Sequence, residues 1–287
     1  GTNVDQGSAY VFLRRGGVWS LQQKLVASGG AAGDGFGISV SVSGDTAVAG
    51  ARWDDLGTNL DQGSAYVFAR TEGVWSEQQK LVASGGAYFD MFGGSVSVSG
   101  DTAVVGAAGD AVGANAYQGS AYVFVRSGGV WSQQQWLLAS DGAAGDFFGI
   151  SVSVSGDTAV VGALYDGVGA NAYQGSAYVF VRSGSVWSEQ QKLVASDGAA
   201  SDMFGSSVSV SGDTIVVGAS WDDVGVNEKQ GSVYVFVRSG GVWSEQQKLV
   251  ASDGAAGDRF GSVSVSGDTA VVGAGSDVGA NLEQGSA

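Results

Sequence analysis

Neither His nor Cys occurs in the 287 residues, so the side chains able to do chemistry are carboxylates, amides and aromatic rings. They gather in short segments that read Arg52-Trp53-Asp54-Asp55, Gly109-Asp110, Leu164-Tyr165-Asp166, Ser220-Trp221-Asp222-Asp223 and Ser276-Asp277. The candidate ligand-binding residues are therefore Trp53, Asp54, Asp55, Asp110, Tyr165, Asp166, Trp221, Asp222, Asp223 and Asp277. Tyr117 and Tyr173 accompany them, as does an Asn that recurs at Asn59, Asn115, Asn171 and Asn227. Rings stack on sugar faces, and carboxylates and amides bind hydroxyls, so the set suits a carbohydrate. It suits a protein partner equally. Carboxylate oxygens also suit calcium, a hard cation, although no Asp-x-Asp-x-Asp-Gly spacing occurs. No cofactor is required by the pattern.

Catalysis at neutral pH usually recruits His, Cys or a pair of acids in different environments. Here the acids repeat, and nothing singles out one pair for glycoside hydrolysis. The expectation is a protein that is not an enzyme. Plainer roles compete for the same residues. Loop acids commonly shape turns, a repeated Asn commonly bonds its own loop backbone, and repeated Phe and Trp commonly pack. The Asp of each Gly-Asp pair (Asp45, Asp101, Asp157, Asp213, Asp268) reads as turn chemistry, and Arg14, Arg70, Arg126, Arg182 and Arg238 read as caps of strand three or partners of nearby carboxylates.

What positions these residues is a repeat. Phe-Gly recurs at Phe36, Phe92, Phe148, Phe204 and Phe260, 56 residues apart, and a Trp recurs with the same period at Trp19, Trp75, Trp131, Trp187 and Trp243. Each unit reads as four strands. Ile150 to Ser155 alternates Ser and Val, the period of a strand. After the Gly156-Asp157 turn come Thr158 to Ala163, a longer loop, Ser176 to Arg182, a Ser183-Gly184 turn and Val186 to Val194. Turn residues bracket every strand, as hairpins require.

Four strands per unit, repeated, predict an all-β fold, a β-propeller with five four-stranded blades of about 56 residues in a single domain. The blades run over about 36–83, 92–139, 148–195, 204–251, and 260–274 joined with 5–27. The last would close two-plus-two, with strands three and four from the N-terminus and strands one and two from the C-terminus. Gly279 to Ala287 repeats the sense of Gly1 to Ala9, and both copies cannot fill one slot. Either the C-terminal copy hangs loose, or the chain is cut from a longer array, or the complementary ends join neighbouring molecules in self-association. The sequence begins at Gly1 without Met, which reads as a processed product or part of something longer.

Net charge is −15, with 13 Lys and Arg against 28 Asp and Glu. Nucleic acid would be repelled by that charge, and no run of about 18 apolar residues provides for membrane insertion. In an up-and-down blade the loops from strand two to three, and from strand four to the next blade, share one face. Nineteen of the 28 acids fall there, against three basic residues, Arg52, Lys229 and Arg259. An acidic loop face would gather cations or a basic partner, and is where a protein or glycan ligand is expected.

The residues Phe148-Gly149, Gly162-Ala163 and Gly175-Ser176-Ala177-Tyr178-Val179-Phe180 resemble the FG-GAP repeat. Lys192 to Asp202 is similar to the linker of the bacterial branch of that family. The resemblance covers the whole chain. It implies a β-propeller, extracellular or at the cell surface, in an adhesion or structural protein, distantly like integrin α-subunit heads. A protomer of a surface or filamentous assembly and a multivalent, lectin-like binder are the two functions expected. The Pro of the "GAP" motif is replaced by Arg52, Ala108, Leu164, Ser220 and Gly275, and the integrin-type calcium loop has no counterpart.

Overall fold

The computed structural model describes residues 3–275 and 285–287. Its described residues form twenty strands and no helix. The first hairpin is β1 (Ala9–Arg15) with β2 (Val18–Leu25). Four complete antiparallel sheets follow, each in the order of the chain. They are β3–β6 (Ser39–Ser43, Thr46–Ala51, Ser64–Thr71, Val74–Leu81) and β7–β10 (Phe92–Ser99, Thr102–Ala107, Ser120–Ser127, Val130–Leu137). Next are β11–β14 (Phe148–Ser155, Thr158–Ala163, Ser176–Ser183, Val186–Leu193) and β15–β18 (Phe204–Ser211, Thr214–Ala219, Ser232–Ser239, Val242–Leu249). The last hairpin is β19 (Phe260–Ser266) with β20 (Thr269–Ala274). Five repeats of four antiparallel strands are the plan of a five-bladed β-propeller.

Apolar side chains pack between consecutive blades. Val48, Ala65, Val67 and Leu81 of one sheet meet Phe92, Val96, Val98, Tyr122, Phe124 and Trp131 of the next. The repeated Phe stands edge-on to two rings of its own blade, with Phe92 at 5.5 Å from Tyr122 and 6.0 Å from Phe124. Backbones also approach closely. A Cβ on Gly162 in β12 would collide with the Gly205 carbonyl of the following blade, so only Gly fits there.

Sheet edges are closed by the neighbouring blade rather than by more strands. On the inner strand, the Ser half of the Ser-Val alternation accepts backbone N–H groups of the next blade. Val98 and Gly100 donate to Ser41 and Ser43 (3.0 and 3.1 Å), and Val152, Val154 and Gly156 donate to Ser95, Ser97 and Ser99. On the outer strand, the Gln135 amide donates to the Trp187 carbonyl (2.6 Å) and accepts the Trp187 N–H (2.7 Å). Gln23, Gln79 and Gln191 make the same clasp on Trp75, Trp131 and Trp243. A register shift at the preceding Gln aims both amides outward, as bulges do. Gln134 thereby accepts the indole N–H of Trp187 (3.1 Å).

The two-plus-two closure expected from sequence is not made. Strands β1–β2 and β19–β20 lie in separate two-stranded sheets, so residues 260–274 do not form one blade with 5–27. The physical reason is at Ala274, which exchanges both backbone hydrogen bonds with Ser286 (2.7 and 2.9 Å). The first position beside β20 is thus taken by the second copy of the Gly-Ser sequence. Tyr10, Phe12 and Trp19 are accordingly 53%, 55% and 65% exposed, where Tyr66, Phe68 and Trp75 are under 5%.

Candidate functional site

The two sets of long loops meet on one face through backbone hydrogen bonds that recur in every repeat. The residue before each Phe-Gly donates its N–H to the residue before each Gln-Gly. Met91 bonds Asp61, Phe147 bonds Tyr117, Met203 bonds Tyr173 and Arg259 bonds Lys229, at 3.0 to 3.2 Å. The tip of the strand-two-to-three loop joins them: the N–H groups of Trp53, Tyr165 and Trp221 donate to the carbonyls of Asp34, Asp146 and Asp202. Three positions per repeat are so brought together. They hold Asp5, Gly35 and Trp53 in the first set, Tyr117, Phe147 and Tyr165 in the third, and Tyr173, Met203 and Trp221 in the fourth. Two of the three sit in the left-handed region of backbone space, with φ of 55° at Tyr117, 56° at Phe147, 58° at Tyr173 and 57° at Met203. That conformation is costly for bulky residues and is held by the loop bonds.

Nine of the nineteen acids assigned to this face from sequence point inward. Asp34, Asp54, Asp90, Asp110, Asp146, Asp166, Asp202, Asp222 and Asp258 are each 8% exposed or less. One group ties down the inter-blade loop, since Asp34, Asp90, Asp146, Asp202 and Asp258 accept the N–H three residues earlier, at 2.5 to 2.7 Å. The other anchors strand three to its loop. Asp54 accepts hydroxyls from Ser64 and Tyr66 and the Lys80 ammonium, and Asp110 accepts Ser120 and Tyr122. Asp166 and Asp222 take the ammonium groups of Lys192 and Lys248, each at 2.6 Å. Asp54, Asp110, Asp166 and Asp222, expected as ligand contacts, are therefore buried, each with its Oδ2 engaged by a neighbour within its own blade.

Electrostatics follow from that burial. Asp90 and Asp202 are pushed up to about 6, first by burial and then by the charge of Asp110 or Asp222, against the pull of the Ala87 or Ala199 N–H. Burial also raises Asp34 and Asp146. At Asp141 and Asp197, burial alone would raise the carboxyl. The ammonium and hydroxyl donors, Lys192 with Tyr178 and Lys248 with Tyr234, outweigh it and hold both below the usual range. The second repeat has Trp136 where the others have Lys, and its ring stacks on Tyr122 at 6.3 Å instead of supplying a cation. Among the described residues no group of three or more acids converges to hold a metal ion.

Beside exposed acids such as Asp55, Asp141, Asp197 and Asp223, the face carries a continuous run of aromatic rings. Tyr88 and Phe89 stack at 5.8 Å, Phe89 meets Tyr117 at 6.2 Å, and Tyr117 lies parallel to Phe147 at 5.6 Å. The ridge continues through Tyr165 and Tyr173, each contact at 5.4 Å. Beyond it a cleft of about 550 Å³ is lined by Ala144, Gly145, Phe147, Tyr165, Tyr173, Ser201, Met203 and Trp221. Lys229 and Arg259 lie over the Trp221 ring, at 4.3 and 5.7 Å.

Of the residues singled out from sequence, Tyr165, Tyr173 and Trp221 share this cleft. Trp53 lies apart, under Arg52 at 4.2 Å and against Gly35. Asp55 and Asp223 are exposed and accept the N–H groups of Asp61 and Lys229, closing their own loops. Asp277 falls outside the described residues. Phe147 and Met203 were not among the expected residues. Their signal is the position before Phe-Gly, which reads Gly35, Met91, Phe147, Met203 and Arg259 and varies more than any other in a stretch that also changes at Tyr88, Phe89 and Ser201.

The turn face uses Asp45, Asp101, Asp157 and Asp213 against Arg70, Arg126, Arg182 and Arg238, at 2.5 to 2.6 Å. The recurring Asn reaches across the loop face instead: Asn171 donates to Gln174 (2.9 Å) and to the Gly198 carbonyl (3.0 Å).

Comparison with known families gives one result, with the FG-GAP repeat matching at residues 19–68, 75–124, 131–180, 187–236 and 243–287. The chain belongs to the FG-GAP repeat family. Each matched FG-GAP unit starts at the repeated Trp, and the first four end at the Phe of the third strand of the following blade, at Phe68, Phe124, Phe180 and Phe236. The family unit therefore spans the blade-to-blade joint that carries the Gln clasp. FG-GAP repeats build propeller modules, typically in extracellular or surface proteins, and the family is generally non-catalytic. No curated protein matches the chain.

Proposed function

We propose that this FG-GAP chain is a non-catalytic extracellular adhesion module that recognises its partner through the loop face. The observation that supports this reading is where the repeats differ. The side chains that interlock blades, such as Phe92 and Phe148, Trp131 and Trp187, or Gln79 and Gln135, are the same in each. The three-position sets on the loop face differ from repeat to repeat and are only partly covered. An interlock needs uniformity, whereas recognition of an external partner needs varied, reachable side chains gathered on one surface. Because the sets differ, the face offers one composite surface rather than equal sites on every blade.

The test is attachment of beads carrying the chain to surfaces coated with cellulose, chitin, pectin or collagen. Attachment to at least one coating is expected, reduced at least tenfold by Tyr165→Ser with Trp221→Ser and unchanged by Glu72→Lys on the turn face. Absence of attachment to all four, or equal loss in the Glu72 variant, overturns the reading.

A further inference from the structure

We infer that the cleft formed by Phe147, Tyr165, Tyr173, Met203 and Trp221 is a glycan subsite that seats a pyranose ring of a longer chain; this rests on the recognition reading above. The argument begins with what lines the cleft. Three flat rings and a Trp supply apolar area, and among the lining residues Tyr165, Tyr173 and Ser201 carry hydroxyls and Trp221 an N–H. No charged side chain lines it, although the molecule carries −15. A pyranose has the matching character, with C–H groups on its faces and hydroxyls around its rim. Amphipathic rings that offer a flat face and one hydrogen-bonding atom complement it.

A peptide that adds a strand, lays down a helix or carries an acidic motif fits less well. Peptide recognition draws on an unpaired strand edge, an apolar groove for a helix, or charge clusters for acidic motifs. In the complete sheets beside the cleft, the neighbouring blade's Ser and Gln side chains cap the edges. The lining of the cleft carries no charged side chain, and the nearby cations Lys229 and Arg259 lie over the Trp221 ring.

The rings are also held in place before any ligand arrives. Phe147, Tyr173, Ser201 and Met203 all sit at positive φ, between 56° and 73°, fixed by backbone bonds to the opposite loop. Phe147 packs edge-on against Tyr165, and Tyr165 against Tyr173. Rigid aromatics lose little freedom on binding, which favours weak ligands such as sugars. The site is asymmetric as well. The equivalent positions in the second repeat are Asp61, Met91 and Gly109, and in the first Asp5, Gly35 and Trp53, so only the third and fourth sets build a ring-lined cleft.

The experiment is calorimetric titration of the whole chain with hexasaccharides of β-1,4-glucose, β-1,4-mannose, β-1,4-N-acetylglucosamine and α-1,4-galacturonate. At least one is expected to bind with a Kd of about 10 μM to 1 mM. Tyr165→Ala and Trp221→Ala should each weaken it at least tenfold, and Trp53→Ala, outside the cleft, less than twofold. Tyr165→Phe keeps the ring and should cost less than threefold, which separates loss of the stacking face from loss of fold. The inference is overturned if no hexasaccharide binds below 10 mM, or if binding survives both Ala variants. Should bead attachment depend on Tyr165 and Trp221 while no hexasaccharide binds, the glycan assignment falls and the recognition reading stands. Should neither depend on them, both fall.

Discussion

Replacing Gln135 by Met tests the idea that an amide from one blade stands in for a missing strand on the next. In the β13–β14 ladder Trp187 pairs opposite Arg182 on the outermost strand. Its N–H and C=O meet the Gln135 amide at 2.7 and 2.6 Å, and Trp187 itself is 2% exposed. Met preserves the length and most of the volume of Gln but offers neither bond. A buried backbone group left unpaired costs about 1–3 kcal/mol. Two groups are affected, and Gln135 is only half-buried, so water recovers part of the loss; about 2 kcal/mol is the expected net cost. That corresponds to roughly a 30-fold rise in local opening. Hydrogen exchange read over Val186–Leu193 is the appropriate assay, because repeat arrays open locally and a single melting temperature averages over blades. Gln134→Met is the control, since that side chain accepts only the Trp187 indole N–H at 3.1 Å and should cost about 0.5–1 kcal/mol. Equal protection in both variants, or a change below about 0.5 kcal/mol for Gln135→Met, would refute the reasoning.

Three further outcomes follow from the same geometry. Asp90 and Asp202 hold protons more tightly folded, at about 6, than in an unfolded chain near 4, so stability should fall as pH rises from about 4 to 6 and then level. Thermal melts should therefore show a higher Tm at pH 5 than at pH 7.5, by about 2 °C or more, and Asp90→Asn should raise the Tm at pH 7.5 and shrink that difference. Gly162→Ala drives a methyl into the Gly205 carbonyl and should cost about 3 kcal/mol or more in urea denaturation. Gly156→Ala, in open space at φ 57°, should cost only about 1 kcal/mol. Finally, because the buried carboxylates already accept N–H, O–H and ammonium donors, adding calcium or a chelator should move the Tm by less than about 1 °C in calorimetry; a larger shift would mean that the exposed acids form a site.

Much of the fold was legible because local and global signals agree. The Ser-Val alternation, the Gly-Asp turns and the Phe and Trp spacing each point to four strands per repeat. The Arg of the turn face could be read as carboxylate partners, but that the partner is the turn Asp follows from the register of strands two and three, with Thr46 opposite Ala69. Other features depend on contacts between blades, which no local pattern reports. Ser95 and Ser97 read as the polar half of a strand, yet they close the inner edge of the following sheet. Acids were counted toward a charged surface, whereas Asp54 and Asp166 turn inward because Lys80 and Lys192, 26 residues further on, return beside them. Much of the aromatic cleft was visible in Tyr165, Tyr173 and Trp221. Phe147 and Met203 were hidden because the inter-blade loop reads as a linker, and only the pairing of that loop with the neighbouring one brings its most variable position beside those rings.

The interlocks have a direction. In each joint described, the earlier blade supplies the Ser and Gln side chains and the later blade supplies the backbone that they cap. A gene encoding such a chain can gain or lose one in-frame unit without creating a mismatched joint, because every unit presents the same donor side and the same acceptor side. Near-identical neighbouring units are also the DNA substrate on which unequal recombination acts most readily. Copy number can then drift while the three loop positions diverge separately in each copy, so that one interlock, inherited unchanged, carries a surface assembled from independently varied parts.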